Sequence, residues 1–329
     1  GILDAKIDTR NCLIVSDDRH PHDLLNQGHL DHCLRVATRA GLDPLSALQM
    51  VTINPSKHLG LNHDIGAIGP GKIADITIFD DLESFQVKNV IFQGEEIVRE
   101  GKLIKNLPIF SYPSWTLDTV NLKAIPQISQ LRVPWKASEG SAIVRVIGIH
   151  EHSLFTDSLT AELQIKEGYV VPNVSKDILP VVVLERHNKT GNICSAFVKG
   201  FGLSQGALAS SVAHDSHNII AVGSNYDVIQ ESISRLVDNR GGLVALVDDL
   251  FFEIPLPFAG IVTTKKLEDI SQNLTEMEIF IKMMGIKLKS PFMALSFLAL
   301  PVIPHLKITD KGLVDVDSFQ LTPIVIDVQ

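Results

Sequence analysis

The chain has 329 residues, of which 45% are hydrophobic and 20% charged, and its formal net charge is −9. Such a length favours two domains over one, since a single core rarely serves a chain of this size. The acidic balance argues against nucleic acid or an anionic membrane as a partner, because both select basic surfaces.

No targeting or membrane-spanning segment is recognisable in the sequence. Apolar runs stay short of the roughly 18 residues that a spanning helix needs, and the first residues lack the apolar core of a signal peptide. The three cysteines, Cys12, Cys33 and Cys194, lie far apart and form no CxxC pair. We therefore expect a reduced, cytoplasmic protein without disulfides.

The first predicted elements are a strand and a set of helices. Cys12 to Ser16 form a short apolar run typical of a buried parallel strand, and a helix is predicted from Asp23 to Arg39. Asp43 and Pro44 form an N-cap and first-turn pair that opens a second helix, and Asn54-Pro55 repeats the device for a third.

The spacing of apolar residues then changes from the helical pattern to the alternation typical of strands. Residues 74–79, 87–92 and 96–98 are predicted strands, with a tight turn at Gly94 and Glu95. Four prolines and little periodicity predict a linker over residues 107–136. A second domain of mixed α/β type follows, with helices expected at about 226–239 and 267–284.

The polar cluster from Asp17 to His22 follows the first predicted strand directly, where α/β folds carry their chemistry. A carboxylate at Asp17 could bind a divalent metal and take a proton from a metal-bound water. It could equally be a loop aspartate that caps the next helix. The cluster alone leaves both interpretations open.

Several longer motifs resemble a known family. Residues 43–61 (DPLSALQMVTINPSKHLGL) and 66–80 (GAIGPGKIADITIFD) are similar in order and spacing to the end of the amidohydrolase superfamily pattern. Within that superfamily, residues 16–32 (SDDRHPHDLLNQGHLDH) resemble adenine deaminases. So do 197–223, 241–248, 254–260 and 297–316, which are similar to the C-terminal domain of those enzymes.

This resemblance implies an architecture. Residues 1–62 would be the last strand and helices of a (β/α)8 barrel, and 63–106 a part of its β-sandwich. The linker at 107–136 would lead to the adenine deaminase C-terminal domain at 137–329, giving an α/β plus α+β fold. The resemblance also implies that a missing N-terminal barrel segment is part of the enzyme, and we expect a homo-oligomer.

The implied reaction is the hydrolysis of adenine, a small purine base, to hypoxanthine and ammonia by a metal-bound hydroxide. Asp17 would bind the metal and move the water's proton, while Asp18 and Arg19 would position the substrate or Asp17. The family's metals are Mn²⁺ or Fe²⁺, with Zn²⁺ as an alternative. The alternatives for function are another amidohydrolase reaction, on an amino-purine or a cyclic amide, or a scaffold or remnant without catalysis.

The sequence departs from the family pattern in one respect. The family's HxH pair, bridging acid and two further histidines all precede the metal-site Asp, and only about eleven residues precede the strand at Cys12. We therefore expect this chain alone to be inactive.

Other histidines could have plain structural roles instead of roles in a site. His20 is kept as a candidate at the mouth of the pocket, with His22 beside it; His29 and His32 are expected on the outer face of a helix. The HxH of His150, Glu151 and His152 follows a predicted strand, as a metal pair should, but no further strand-histidine units follow at barrel spacing.

The second candidate cluster is His214, Asp215, Ser216, His217 and Asn218, between apolar runs. Polar groups in such a place need hydrogen-bond partners or a function. They could brace the domain internally. Alternatively the second domain could act as a lid that brings His214 to His217 toward Asp17, and we expect this second arrangement.

Overall fold

Two units, Gly1–Ser111 and Tyr112–Gln329, divide the chain. The computed structural model describes residues 4–5, 7–106, 110–151 and 153–328. Within these residues no helix combines the length and the apolar character that crossing a membrane requires.

Unit 1 begins with short helices and ends in a small sheet. Its helices are a 3₁₀ turn at Thr9–Asn11 and the α-helices α1 (Pro21–Asn26), α2 (Leu30–Arg39), α3 (Pro44–Val51) and α4 (Ile53–His58). The antiparallel sheet has the order β1 (Ile76–Phe79), β2 (Val87–Phe92), β3 (Glu95–Arg99), β4 (Lys102–Leu103). The three strands predicted from 74 to 98 are confirmed. The turn between β2 and β3 lies one residue earlier than predicted, at Gln93 and Gly94, both at positive φ, and Glu95 is the first residue of β3.

The prediction of one helix from Asp23 to Arg39 is wrong. Gly28 adopts φ +99°, in the left-handed region, and separates α1 from α2. A Cβ there would collide with the Asp31 carboxylate, which instead accepts the His29 N–H at 2.7 Å. The glycine thus lets the chain turn and leaves Asp31 free to satisfy the start of α2.

The two capping predictions had different outcomes. The Asp43 side chain accepts the Ser46 N–H at 2.8 Å and caps α3, as predicted. Asn54 does not cap α4, which begins one residue earlier. Its buried amide donates to the carbonyls of Thr9 at 3.0 Å and Cys12 at 2.9 Å. Asn54 therefore fixes the segment that leads to Asp17.

The buried strand expected at Cys12 to Ser16 is not formed. The segment is extended, but none of the strand pairs among the described residues includes it, and Val15 is 73% exposed. The Ile14 N–H donates to the Met50 carbonyl at 3.0 Å. A strand is stabilised by hydrogen bonds to neighbouring strands. In the described part of unit 1, this segment instead bonds to the C-terminal end of helix α3.

Unit 2 is built on one large mixed sheet. In chain order its strands are β5 (Val133–Pro134), β6 (Glu139–Ile149), β7 (Thr156–Lys166), β8 (Tyr169–Val170), β9 (Leu179–Leu184), β10 (Ile193–Lys199), β11 (Ala207–Ser210), β12 (Ile219–Gly223), β13 (Gly242–Val247) and β14 (Leu250–Pro255), with β18 (Val325–Val328) beside β6. Their order in space is β14-β13-β11-β12-β9-β10-β6-β7-β8-β5. Strand β10 runs parallel to β6 and antiparallel to β9.

Helices cover both faces at the centre of this sheet. Helix α6 (Tyr226–Asp238) packs its Ile229, Ile233 and Leu236 on one face. Helices α7 (Leu267–Met283) and α8 (Pro291–Leu298) cover the other, together with a small sheet of β15 (Leu306–Thr309), β16 (Gly312–Asp315) and β17 (Gln320–Thr322). Strand β9 is buried along its whole length, as its uninterrupted apolar sequence requires. The mixed α/β class predicted for this region agrees with these layers.

Most of the predicted linker belongs to unit 2. Residues 112–136 contain a 3₁₀ turn at Ser114–Leu117, helix α5 (Ile128–Leu131) and β5. Leu131 is fully buried in the core beneath α6, and the Asn121 N–H donates to the Arg186 carbonyl at 2.6 Å. Pro113 precedes the 3₁₀ turn and Pro134 is the last residue of β5, so the low periodicity here reflects short elements and not a free connection.

Candidate functional site

The first candidate site is the loop that carries Asp17. Asp17 adopts φ +51°, and its carboxylate accepts the Asp18 N–H at 2.8 Å. Both aspartates are exposed. The neighbouring Ser16 hydroxyl lies 2.8 Å from Nε2 of His29, so the loop is tied to the start of α2. Asp17 is thus held in a defined backbone conformation with its carboxylate open to solvent.

Arg19 and His20 have structural contacts close to this loop. The Arg19 guanidinium donates to the Gln27 side chain at 3.0 Å and to the Gly28 carbonyl at 3.3 Å, at the junction of α1 and α2. His20 is the N-cap residue of α1, and its ring stacks on His22 with centroids 5.8 Å apart. Arg19 therefore braces the helix junction that lies behind Asp17.

Three other histidines named from the sequence have ordinary surroundings. His29 precedes α2 and is exposed, while His32 lies within that helix and is half-buried. His150 Nε2 lies 2.9 Å from the Asp157 carboxylate, with both side chains about half exposed. His152 lies outside the described residues.

A second polar cluster lies along one edge of the large sheet in unit 2. Strand β9 ends, and its antiparallel neighbours β12 and β10 begin, at this edge. The residues that flank these strands are Glu185, Arg186, Asn192, His217 and Asn218. Asp310, from the turn between β15 and β16, accepts the amides of Asn192 and Asn218, each at 3.1 Å. Segments distant in the sequence thus converge through polar side chains.

Arg186 is at the centre of this edge and is 1% exposed. Its guanidinium donates to the carbonyls of Thr119 at 2.9 Å and Ala259 at 3.0 Å, and also to the His217 carbonyl. Burial lowers the pKa of Arg186 to about 10, against the opposing charge of Glu185. At neutral pH it is therefore a buried cation that holds three backbone segments.

Glu185, the adjacent residue, organises the loop after β9. Its carboxylate accepts N–H groups from His187 at 2.5 Å, Asn188 at 2.7 Å and Thr190 at 3.1 Å, and the Thr190 hydroxyl at 3.0 Å. Burial would raise the pKa of Glu185, but these donors together lower it. The charged form is therefore favoured in the folded protein.

The predicted histidine cluster forms the loop between β11 and β12. The rings of His214 and His217 meet edge to face with centroids 5.7 Å apart, and His214 also packs on Phe297 at 4.7 Å. His217 has φ +49°, its N–H donates to the Ala213 carbonyl at 2.6 Å, and its Nδ1 is buried without a hydrogen-bond partner. Its imidazole is therefore incompletely satisfied inside unit 2.

Electrostatics favour a neutral His217. Burial is the largest cause that lowers the pKa of His217, and the charges of His214 and Arg186 lower it further. The charge of Asp215 raises the pKa, and His187 has a smaller lowering effect. Asp215 and Ser216 are exposed at the tip of the loop, and the Ser216 carbonyl lies 2.8 Å from His187 Nε2. The loop therefore presents an exposed tip next to a half-buried imidazole whose neutral form is favoured.

The residues predicted from sequence thus fall into two groups. Asp17, Asp18, Arg19 and His20 share a loop in unit 1, and His214, Asp215, Ser216 and His217 share a loop in unit 2. Within the described residues, no group of three or more His, Cys, Asp or Glu side chains could hold a metal ion. The described residues therefore do not fit a self-contained metal centre.

Sequence reasoning missed Arg186, Glu185 and Asp310. A signal for the first two was present, because an uninterrupted apolar strand, LPVVVL, is followed at once by Glu185 and Arg186. The same rule singled out Asp17 after its apolar run. Asp310 had no comparable signal, since its partners are 92 and 118 residues away in the chain.

Comparison with known proteins gives two family matches. Residues 153–320 match the adenine deaminase C-terminal domain, and residues 3–97 match the amidohydrolase family. An adenine deaminase of Methanothrix thermoacetophila is 40% identical over 97% of this chain and 54% of its own length. One of Methanothermobacter thermautotrophicus is 42% identical over 94% of this chain and 56% of its own. The chain thus spans a little over half the length of these curated relatives.

Among solved structures, an N-acetylglucosamine-6-phosphate deacetylase from Pasteurella multocida is similar over 22% of this chain and 18% of its own. The sequence identity is 28% and the TM-score 0.21.

Proposed function

Because the chain belongs to the family defined by the adenine deaminase C-terminal domain, we propose that it is the C-terminal portion of an adenine deaminase. The reaction is adenine plus water giving hypoxanthine and ammonia. The observation that carries the proposal is the exposed carboxylate of Asp17, held by its loop within the residues that match the amidohydrolase family. The remaining part of the active site would come from the portion of the relatives that this chain does not cover.

Asp17 is suited to moving protons in this reaction. Water adds its oxygen to C6 of the purine, and the amino group leaves as ammonia. A carboxylate can accept a proton from the attacking water and pass it toward the ring nitrogen or the leaving amine. Asp18, next in the chain and also exposed, is the matched control, and Arg19 acts by bracing the loop.

The family implies a divalent metal, but the described residues alone do not fit one. When bound, such a metal would activate water and polarise the substrate. We propose that Asp17 would be its single ligand from this chain, with Mn²⁺ or Fe²⁺ as the metal and Zn²⁺ as the alternative.

The setting of the enzyme is proposed from composition. The acidic charge of −9 and the free state of Cys12, Cys33 and Cys194 support a cytoplasmic enzyme acting on a small purine base, without nucleic acid or membrane as a partner. We propose a homo-oligomer, which sedimentation of the purified protein tests.

The proposal is tested by ammonia release from adenine. We expect the 329-residue chain alone to be inactive, and the longer protein that carries it to be active. In that protein, Asp17→Asn should lower kcat by at least about 10²–10⁴-fold, because a carboxamide cannot take the proton. Asp18→Asn should have a smaller effect. Near-normal turnover by Asp17→Asn would overturn the assignment, and turnover of another amino-purine or cyclic amide in place of adenine would favour the alternative amidohydrolase function.

We propose in addition that His214 and His217 take part in turnover. Two imidazoles in a half-buried loop are costly to place unless each polar group is satisfied, and Nδ1 of His217 is not. Neutral imidazoles can transfer protons near neutral pH. Replacing both with Ala should lower turnover more than it lowers the melting temperature. Equal loss of both properties would instead assign the loop to internal bracing.

A further inference from the structure

The loop of His214 and His217 is held from beneath by a single buried cation. Arg186 donates to the carbonyls of Thr119, Ala259 and His217, which belong to three separate segments of unit 2. Hydrogen bonds from a charged donor to carbonyls are stronger than neutral ones, and a planar guanidinium fixes directions as well as distances. Burying a charge costs free energy, and an uncharged side chain could fill the same space at a lower desolvation cost. The hydrogen-bond geometry of the guanidinium is therefore the reason to have an arginine here.

A second hydrogen bond, from the backbone of Arg186, reinforces the contact with the His217 carbonyl. The Arg186 N–H donates to the Asn218 side chain at 3.3 Å, and the Asn218 amide is tied to Asp310. Arg186 therefore binds both sides of the His217–Asn218 peptide region. Because His217 has φ +49°, an uncommon conformation for a residue with a side chain, the loop needs such external support.

Gly260 provides the space for the guanidinium. A Cβ added at Gly260 would lie 2.7 Å from Nη1 of Arg186 and 2.9 Å from its Cζ. The backbone at Gly260 is itself fixed, since the Ser211 hydroxyl donates to its carbonyl at 2.5 Å. A methyl group here would therefore push the guanidinium and leave the loop at 214–217 without its support.

We propose that Arg186 is a positioning residue for His214 and His217, with Gly260 as the glycine that its guanidinium requires. This inference rests on the proposed part of the two histidines in deamination. Arg186 acts twice on His217, since it fixes the backbone and its charge disfavours protonation of the ring. The other charged or titratable groups that act on His217 are His214, Asp215 and His187.

The first experiment is spectroscopic and needs no activity. Histidine-labelled samples of the 329-residue chain are titrated by NMR, and the His217 signals are followed. Arg186→Met should raise the pKa of His217 because a positive charge is removed. Arg186→Lys should keep the charge but alter the chemical shifts of His214 and His217, because an ammonium cannot replace the three-way guanidinium contact.

Gly260→Ala tests the same contact without touching Arg186, and Gly202→Ala is its control. Both glycines have positive φ, +73° and +68°, but the nearest atom to a Cβ at Gly202 is the Gly285 carbonyl oxygen, at 3.6 Å. We expect Gly260→Ala to change the His214 and His217 signals and Gly202→Ala to leave them unchanged. Equal behaviour of the two variants would overturn the inference, and the pair remains informative if Arg186→Met does not fold.

The second experiment is kinetic, in the longer deaminating protein. Arg186→Lys and Gly260→Ala should lower kcat about 10- to 100-fold, with KM changed less than about threefold, because misplacement of a reacting group affects the chemical step most. Unchanged kcat in these variants, together with a low kcat for the double His→Ala variant, would overturn the positioning inference alone. Unchanged kcat for the double His→Ala variant would overturn both the proposed part of the histidines and the inference that rests on it, whatever the NMR result.

Discussion

Both candidate loops hold polar side chains directly after an apolar segment, but the contacts that hold them are of opposite kinds. The loop of Asp17 is short, exposed and tied down by local contacts such as the Asp18 N–H and the Ser16–His29 pair. The loop of His214 and His217 is supported by the buried side chains of Arg186 and Asn218, which connect it to Thr119, Ala259 and Asp310. The first arrangement leaves a carboxylate open to solvent, and the second desolvates an imidazole.

The comparison teaches which changes should affect stability. Polar groups that are buried and satisfied carry a large penalty when a partner is removed, whereas exposed groups can turn to water. Substitutions in the polar edge of unit 2 should therefore cost folding free energy, and substitutions at Asp17 should not.

The largest effect is expected for Glu185→Gln. The change removes the charge that accepts three N–H groups and one hydroxyl, and should lower the free energy of unfolding by about 3 kcal/mol. Urea unfolding at pH 7 measures it. Glu231→Gln is the control, since that side chain is 47% exposed in its pair with Arg235 and should cost less than about 0.5 kcal/mol.

The pH dependence of the free energy of unfolding, compared between wild type and Glu185→Gln, gives a second test of the role of the charge. The folded pKa of Glu185 lies below its ordinary value of 4.5, so the stabilisation is complete above pH 4.5 and is lost as pH falls through the folded pKa. The gap between wild type and Glu185→Gln should therefore narrow only below about pH 4.5. A gap that was equally wide at acid pH would mean that shape, not charge, explains the loss.

Sequence reasoning was strongest where local chemistry decides. The cap at Asp43 and the strands from 76 to 99 follow from neighbouring residues, and the family motifs identified both matched regions. It failed at Gly28, whose positive φ depends on the position of Asp31. It also missed Arg186, because that residue bonds carbonyls 31 to 73 residues away, and backbone acceptors leave no trace in a sequence.

A smaller effect, of opposite sign, is expected for Lys307→Met. Lys307 is fully buried on β15, and its ammonium donates to the Leu154 carbonyl at 2.9 Å. Burial lowers its pKa to about 8 from 10.5, a shift that corresponds to about 3 kcal/mol of destabilisation when the amine is charged. Met removes this cost but loses one hydrogen bond, so we expect a net gain of about 1–2 kcal/mol at pH 7.

The pH dependence of this stability gain distinguishes two causes, the removal of a poorly solvated ammonium and better packing of the methionine. Because the folded pKa is lowered, wild-type Lys307 costs most below pH 8, and its cost declines as pH rises from about 8 to 10.5. The advantage of Lys307→Met should shrink over that window in urea unfolding experiments. A constant advantage across it would show that desolvation of the ammonium is not the cause.

The smallest effect on stability is expected at the residue with the largest proposed effect on turnover. Asp17→Asn keeps a short side chain that tolerates the φ of +51°, and its amide oxygen can still accept the Asp18 N–H. The free energy of unfolding should change by less than about 0.5 kcal/mol. Asp17→Val is the contrasting variant, because a β-branched residue disfavours this conformation and should cost about 1–3 kcal/mol. Urea unfolding of the 329-residue chain measures both. If Asp17→Asn were as destabilising as Asp17→Val, its carboxylate would be part of the fold, and loss of turnover in that variant could no longer be assigned to proton transfer.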